Sequence, residues 1–563
     1  MLEKDWWKSA TVYQIYPKSF CDSNGDGIGD IKGIISKLDY LKKLGVDVVW
    51  TTPMYVSPMM DNGYDIADYY NIDPTFGTME DFHELLNEMH KKGMKLIMDM
   101  VINHTSTEHF WFKEALKDSK NKYHNYYIWK EGTADKAPNN WASKFGGNAW
   151  KYVESLGKYY LHLFDVTQAD LNWENPELRN DIYKMINFWL EKGVDGFRLD
   201  VINLISKNQN FPDDNYETAT SDGRKFYTDG PRVHEFLKEL TANTFGKYPG
   251  SLTVGEMSST TISHCIEYTK PENKELSMVF NFHHLKVDYP NGEKWALGDM
   301  DFKSLKDIFF KWQVEMEKGD GWSAVFWCNH DQPRIVSRFG NENYLKESGK
   351  MLGTAIHMLR GTPYIYQGEE IAMTNPHFET IDEYRDVEAL NNYKLLLEKG
   401  KTVDEAIEIL GQKSRDNSRT PVQWNESKNA GFTEGTSWIE VAKNYSTINV
   451  ENSLKDKESV FYHYKNLIEL RKKYKVISHG DFIPMYVENS QIFGYIRQLG
   501  NEKLLVINNF YEKEIEIEIP EEFIGKEILI KNYSDILLSD KKIKLRAYES
   551  IVIFSTSKFI NKK

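Results

Sequence analysis

The 563-residue sequence predicts an α/β protein built on a (β/α)8 barrel, and three observations predict it. Short strand-like runs alternate eight times with longer helical patterns. The runs are continuously apolar, as strands covered on both faces must be. Charged residues then collect at the C-terminal ends of those runs, where barrel proteins place their chemistry. An open doubly wound sheet also alternates strands with helices, but eight units in series favour closure.

The elements follow in order. Residues 11–16 (TVYQIY) form the first strand, and a helix over 31–44 is marked by Ile34, Ile35, Leu38, Leu41 and Leu44 at helical spacing. Strands at 46–51 and 94–102 follow. Residues 105–169 are rich in Trp, Tyr, Asn and Gly without sustained periodicity, too long for a loop, and predict an inserted subdomain. The barrel resumes with a helix that starts at Pro176, a favoured first-turn residue, and stops near Gly193. Its remaining strands fall at 194–200, 251–256, 277–282, 324–328 and 363–367. From about residue 481 the pattern changes to short alternating strands (QIFGYIRQ, KLLVINNF, KEIEIEIP, ESIVIFST), which predict a C-terminal antiparallel β-sandwich. The expected division is therefore 1–104 and 170–480 for the barrel, 105–169 for the inserted subdomain and 481–563 for the sandwich.

Composition narrows the class. Hydrophobic residues at 40% and charged residues at 27% are ordinary for a soluble globular protein. No apolar run approaches the ~20 residues of a membrane helix. The opening MLEKDWWKSA lacks the apolar segment of a signal peptide, so a cytoplasmic location is expected. Cys21, Cys265 and Cys328 are too few and scattered for a disulfide framework or metal cluster. A net charge of -14 argues against nucleic acid as a partner, yet leaves room for a small anionic substrate. A monomer is expected.

The strand ends carry the chemistry. His104 follows the third strand, Arg198 and Asp200 end the fourth, Glu256 ends the fifth, and His330 and Asp331 follow the seventh. A lone strand-end Asp is an ordinary helix cap. Three carboxylates with two histidines and an arginine on one rim are not. Cleaving a glycosidic bond through an oxocarbenium-like transition state takes one ionised and one protonated carboxyl. Arg198 stands two residues before Asp200, so both point to one face of the strand, and the guanidinium is expected to lower the Asp200 pKa. Glu256, crowded by other carboxylates in a partly dry pocket, is expected to have a raised pKa. Asp331 is left to hold sugar hydroxyls.

The segments DMVINHT, GFRLDVI, GEM and NHDQ resemble the four signature regions of the α-amylase superfamily of glycoside hydrolases, in the same order. The resemblance implies Asp200 as nucleophile, Glu256 as acid/base and Asp331 as transition-state stabiliser, with His104, Arg198 and His330 on the bound glucosyl unit. DNGYD and KSRDNSRTPVQW resemble an exo-acting oligosaccharide α-glucosidase branch. There Asp61 and Arg415 would grip the non-reducing end and Tyr64 would stack on that sugar. The alternative for Asp61 and Arg415 is a structural loop salt bridge. Val201 resembles a residue associated with α-1,6 preference. Other segments (FDVTQADLNWEN, FYTDGPRVHEFL, GEMSSTT, FHHLKVDYPNGEKWALG, FWCNHDQPR) resemble instead family members whose substrate is a phosphorylated disaccharide. For its phosphate the candidates are Lys286 and Lys294 after the sixth strand and Lys144 in the inserted subdomain. Each alone is an ordinary solvated lysine, and only their shared location argues for more. A glucoside isomerase would share the covalent intermediate, and a non-catalytic family member would be expected to lose the carboxylates kept here.

Residues 22–30 (DSNGDGIGD) place oxygen ligands at alternate positions, Asp22, Asn24, Asp26 and Asp30, with the Ile28 carbonyl as another. Hard cations favour such a set, and the spacing is similar to the first half of an EF-hand loop. The resemblance implies a structural Ca2+ or Mg2+, the alternative being a metal-free Asp/Gly turn. The glycosidase chemistry itself needs no cofactor.

Overall fold

The computed structural model describes residues 5–215, 222–539 and 541–556. Eight short parallel strands form its centre: β1 (Val12–Ile15), β2 (Val48–Thr51), β3 (Lys95–Val101), β4 (Gly196–Asp200), β5 (Leu252–Glu256), β6 (Met278–Phe280), β7 (Ala324–Val325) and β8 (Thr362–Tyr366). Seven fall inside the apolar runs of the sequence, and β8 begins one residue before its run. They pair in the order β6-β5-β4-β3-β2-β1-β8-β7, and a parallel bridge from Val279 to Ser323 joins the two edges into a barrel. Residues of β1, β2, β4 and β8 are all buried, which explains why these strands read as unbroken apolar runs.

Local chemistry sets the helix ends. Asn175 caps the helix Pro176–Glu191 by accepting from the Glu177 N–H, and Gly193 leaves it with φ +100°. Thr78 and Asp81 form a reciprocal capping box on Met79–Lys91. The helix expected over 31–44 is two, Ile31–Ser36 and Leu38–Leu44, which meet at Lys37 (φ -109°, ψ 5°).

The stretch 105–169 carries a three-stranded antiparallel sheet (Trp129–Glu131, Lys158–Leu161, Trp150–Val153) over a cluster holding Trp141, Trp150 and Phe211. A second excursion lies between β8 and the helix Val460–Lys473. It holds the helices Val387–Glu398 and Val403–Lys413 over their own core of Phe378, Leu396, Ile409 and Leu410. These two excursions overhang the C-terminal rim of the barrel. The last domain is a five-stranded and a three-stranded antiparallel sheet, with Ile492, Leu505, Ile517, Ile543 and Ile551 packed between them. It is fastened to the barrel by the buried Arg497, which donates to the carbonyls of Met358 and Ile477. Cys21, Cys265 and Cys328 are free and buried. Among the described residues no helix is long and apolar enough to cross a membrane.

Candidate active site

The C-terminal ends of the strands open into a cavity of about 210 Å³ that gathers Asp61, Tyr64, His104, Asp200, Glu256, Asp331 and Arg415. Asp200 is the last residue of β4 and Glu256 the last of β5, its pairing neighbour. One guanidinium serves both: Arg198 donates through Nη1 to Asp200 Oδ1 (2.6 Å) and through Nη2 to Glu256. The same Nη1 donates to Asp99 Oδ1 on β3 at 2.7 Å. The two carboxyls lie close enough for each to influence the other's ionisation. Immediately after Asp200 the chain turns through Val201 at φ +36°, a strained conformation for a β-branched residue. That turn aims the Val201 N–H at Glu256 Oε2, 3.2 Å away.

Electrostatics separates the three acids. Burial raises Asp200 to about 6, against the pull of Arg198. The expectation that Arg198 would set a low Asp200 pKa is thus corrected: the guanidinium acts in the expected direction, but desolvation outweighs it. Burial raises Glu256 further, to about 8, with Arg198 opposing and Asp200 and Asp331 adding to the rise. Asp331 goes the other way. Burial opposes its charge, yet His330, Arg415, Arg419 and Arg198 together hold it well below the usual carboxylate range. At neutral pH the site thus holds Asp200 and Asp331 ionised beside a protonated Glu256.

The remaining ring of residues fixes one end of the pocket. Arg415 donates through Nη2 to Asp61 Oδ1 (3.1 Å) and Asp386 Oδ1 (2.5 Å), and through Nη1 to Asp331 Oδ1 (3.4 Å). Arg419 donates to Asp331 Oδ1 at 2.9 Å. Tyr64 lies flat against His330 (centroids 5.1 Å apart, planes 4° apart) and donates its hydroxyl to Asp99. His104 meets the Tyr64 carbonyl at 3.1 Å, and Gln168 donates to Asp61. Asp99, Gln168, Asp386 and Arg419 escaped the sequence reading. Asp99 and Arg419 lie inside the segments DMVINHT and KSRDNSRTPVQW, and the available signal is a polar residue five positions from His104 or four from Arg415.

The three lysines part company. Lys144 lines the cavity and has no carboxylate partner among the described residues. Its ammonium is pushed down to about 8 by burial and then by Arg224, with Lys286 contributing and Asp222 and Glu256 opposing. Lys294 also lines the cavity, but it is spent on a bidentate pair with Glu388 (2.7 and 2.8 Å), which in turn neighbours Arg415. Lys286 does not line that cavity; it borders an adjoining hollow with His283 and Asp288. Of the three lysines expected to share a location, Lys144 and Lys294 line the cavity, while Lys286 lies outside it but near enough to lower the Lys144 pKa. Lys294 belongs to a separate ion pair.

The loop Asp22–Asp30 turns its oxygens inward on its own backbone. Asp22 Oδ1 accepts from Asn24 and Gly25 N–H, Asn24 Oδ1 from Asp26 N–H, and Asp26 Oδ1 from Ile28 N–H, all at 2.8–2.9 Å. Asp30 caps the helix Ile31–Ser36 through Gly33 N–H and also holds Ser23. Gly27 sits where a Cβ would lie 1.8 Å from the Thr436 carbonyl, so only glycine fits. Among the described residues no three His, Cys, Asp or Glu side chains converge as a cation cage. A cation here would lean on Asn24 and the Ile28 carbonyl as much as on the carboxylates.

A barrel with this rim is the architecture of a glycoside hydrolase, and the chain belongs to the α-amylase family: the family's catalytic-domain model matches residues 14–480 and an α-amylase SusG C-terminal domain matches 492–552. It is 58% identical to the trehalose-6-phosphate hydrolase of Bacillus subtilis, over 97% of this chain and 98% of that one. It is 51% identical to the oligo-1,6-glucosidase of Bacillus cereus, over 98% and 99%. A crystal structure of the Bacillus licheniformis trehalose-6-phosphate hydrolase superposes with TM-score 0.94 at 60% identity, covering 98% of this chain and all of that one.

Proposed function

We propose that the protein is a retaining, exo-acting α-glucosidase that hydrolyses trehalose 6-phosphate to glucose and glucose 6-phosphate. The observation that carries the chemistry is the shared clamp of Arg198 on Asp200 and Glu256. Two carboxyls at neighbouring strand ends on one guanidinium suit the close ~5–5.5 Å spacing of a retaining pair rather than the ~6.5–9.5 Å of an inverting one. In the first step Asp200 attacks the anomeric carbon as Glu256 gives its proton to the departing glycosidic oxygen. Glucose 6-phosphate leaves, and a glucosyl ester on Asp200 remains. In the second, Glu256 takes a proton from water, the water oxygen bonds to the anomeric carbon, and the ester bond breaks to free Asp200. Asp331 and Arg415 hold hydroxyls of the glucosyl unit, and Asp61 with Arg415 closes the far end so that only a terminal residue fits.

The phosphate reading rests on Lys144, which lines the pocket, with Lys286 and Arg224 close enough to affect its charge; Arg224 is itself paired with Asp222 at 2.6 Å. The 58% relative named for trehalose 6-phosphate supports it. The second reading, an oligo-1,6-glucosidase, is favoured by the 51% relative and by Val201 beside the nucleophile. In the same reading the Asp22–Asp30 loop holds a structural Ca2+ or Mg2+ through Asp22, Asn24, Asp26, the Ile28 carbonyl and Asp30, remote from the chemistry. A chain of this kind works in the cytoplasm as a monomer on a small sugar phosphate. Glucose release from trehalose 6-phosphate, trehalose and isomaltose, measured side by side, tests the assignment. A clear kcat/KM preference for the phosphorylated sugar is expected; preference for isomaltose moves the protein to the second reading.

A further inference from the structure

His330 occupies a position that leaves one of its two neutral tautomers unused. It is 1% exposed, its ring lies parallel to Tyr64 on one contact and to Tyr16 on another (13°, centroids 6.1 Å), and its two nitrogens have one partner each. Nε2 lies 3.2 Å from Asp331 Oδ2. Nδ1 lies 2.8 Å from Nε2 of Gln14, a side chain of β1 that is itself 1% exposed. The amide nitrogen of Gln14 can only donate, so Nδ1 of the neutral imidazole accepts and the hydrogen of His330 sits on Nε2, on the side of the Asp331 carboxylate.

We propose that Gln14 is a positioning residue for the glycosidase reaction, one that locks His330 as the Nε2–H tautomer and thereby keeps a neutral donor, rather than a cation or a lone pair, against Asp331 and the sugar. This rests on the reading of the site given above. Without the Gln14 N–H, His330 can place its hydrogen on Nδ1 and turn a lone pair toward the Asp331 carboxylate, so that two acceptors face each other. The charged groups around the ring are Asp331 on its own segment, Arg415 and Arg419 from the excursion after β8, and Arg198 on β4. Burial foremost, then these guanidiniums, push His330 down to about 3 against Asp331, so the neutral form prevails across the working range. A second carboxylate would tip that balance. Positive charge on the ring would then repel the oxocarbenium-like transition state.

Two near-isosteric variants separate positioning from packing. Gln14→Met keeps the volume and loses the donor; Gln14→Glu keeps the shape and offers Nδ1 an acceptor. Both are measured on an aryl α-glucoside, with the thermal midpoint as a check on folding. Expected is a fall in kcat of at least tenfold in each, with KM changed less than threefold. In Gln14→Glu the acid limb of the kcat profile also moves up by at least one pH unit, because an imidazolium held between the introduced carboxylate and Asp331 must lose its proton before activity returns. That limb stays in place in Gln14→Met. A Gln14→Glu profile superimposable on the parent, or full kcat in Gln14→Met, overturns the proposal. Should either variant not fold, histidine-labelled parent enzyme decides by nitrogen NMR, with His330 assigned by its loss in His330→Asn. Protonation on Nε2 upholds the inference; protonation on Nδ1 ends it.

Discussion

Arg415 donates to Asp61 across 354 positions of sequence, at 3.1 Å, and this contact seals one end of the pocket. Arg415 comes from the excursion after β8 and Asp61 from the loop after β2, so the seal forms only when both are folded onto the barrel. Hydrogen bonds to charged groups contribute about 1.5–3 kcal/mol. Arg415→Ala should therefore lower kcat/KM about 10- to 100-fold on any terminal α-glucoside. An Arg415→Ala enzyme with undiminished kcat/KM would show the pair to be a loop salt bridge, the alternative open in the sequence.

Activity should describe a bell against pH. It rises as Asp200 loses its proton, around pH 6, and falls as Glu256 loses its proton, around pH 8. Glu256→Gln removes the group responsible for the alkaline limb, so that limb should vanish while kcat on trehalose 6-phosphate drops by about 10²–10⁴. Persistence of the alkaline limb in Glu256→Gln assigns it to another group.

Substrate charge should be read by Lys144, Arg224 and Lys286. Alanine at any of the three is expected to lower kcat/KM for trehalose 6-phosphate about 10-fold or more and to leave a neutral aryl α-glucoside within about twofold, since each loses a charge-assisted contact to phosphate alone. Lys294→Ala should behave differently. It frees Glu388 beside Arg415, so both substrates suffer together. Equal losses on both substrates in Lys144→Ala would remove Lys144 from the phosphate site.

Chelation separates structure from chemistry at the Asp22–Asp30 loop. With a cation bound there, EDTA should lower the thermal midpoint, added Ca2+ or Mg2+ should restore it, and kcat at moderate temperature should not change. An unchanged midpoint would mean that the hydrogen bonds of Asp22, Asn24, Asp26 and Asp30 suffice to hold the turn.

The barrel was legible because its strands are buried on both faces, and burial leaves apolar runs whose spacing is visible in sequence. Asp200, Glu256 and Asp331 were legible for the related reason that strand ends aim side chains at one rim. Asp386 was not, since it lies in a helical excursion whose own small core gives it no strand to mark its place. Nor was the pairing of Lys294 with Glu388, a contact between residues 94 apart that only the folded rim creates. The raised Asp200 pKa is not legible either, because a sequence shows which charges are near but not how thoroughly water is excluded.

The most direct test is the stereochemistry of azide rescue on an aryl α-glucoside. If Asp200 is the nucleophile, Asp200→Ala has lost it, and azide attacking the anomeric carbon once should give the inverted β-glucosyl azide. Glu256→Ala still forms the glucosyl ester, which azide opens with a second inversion, giving the α-glucosyl azide. The opposite pairing of product and variant, or no azide adduct from either, contradicts the assignment.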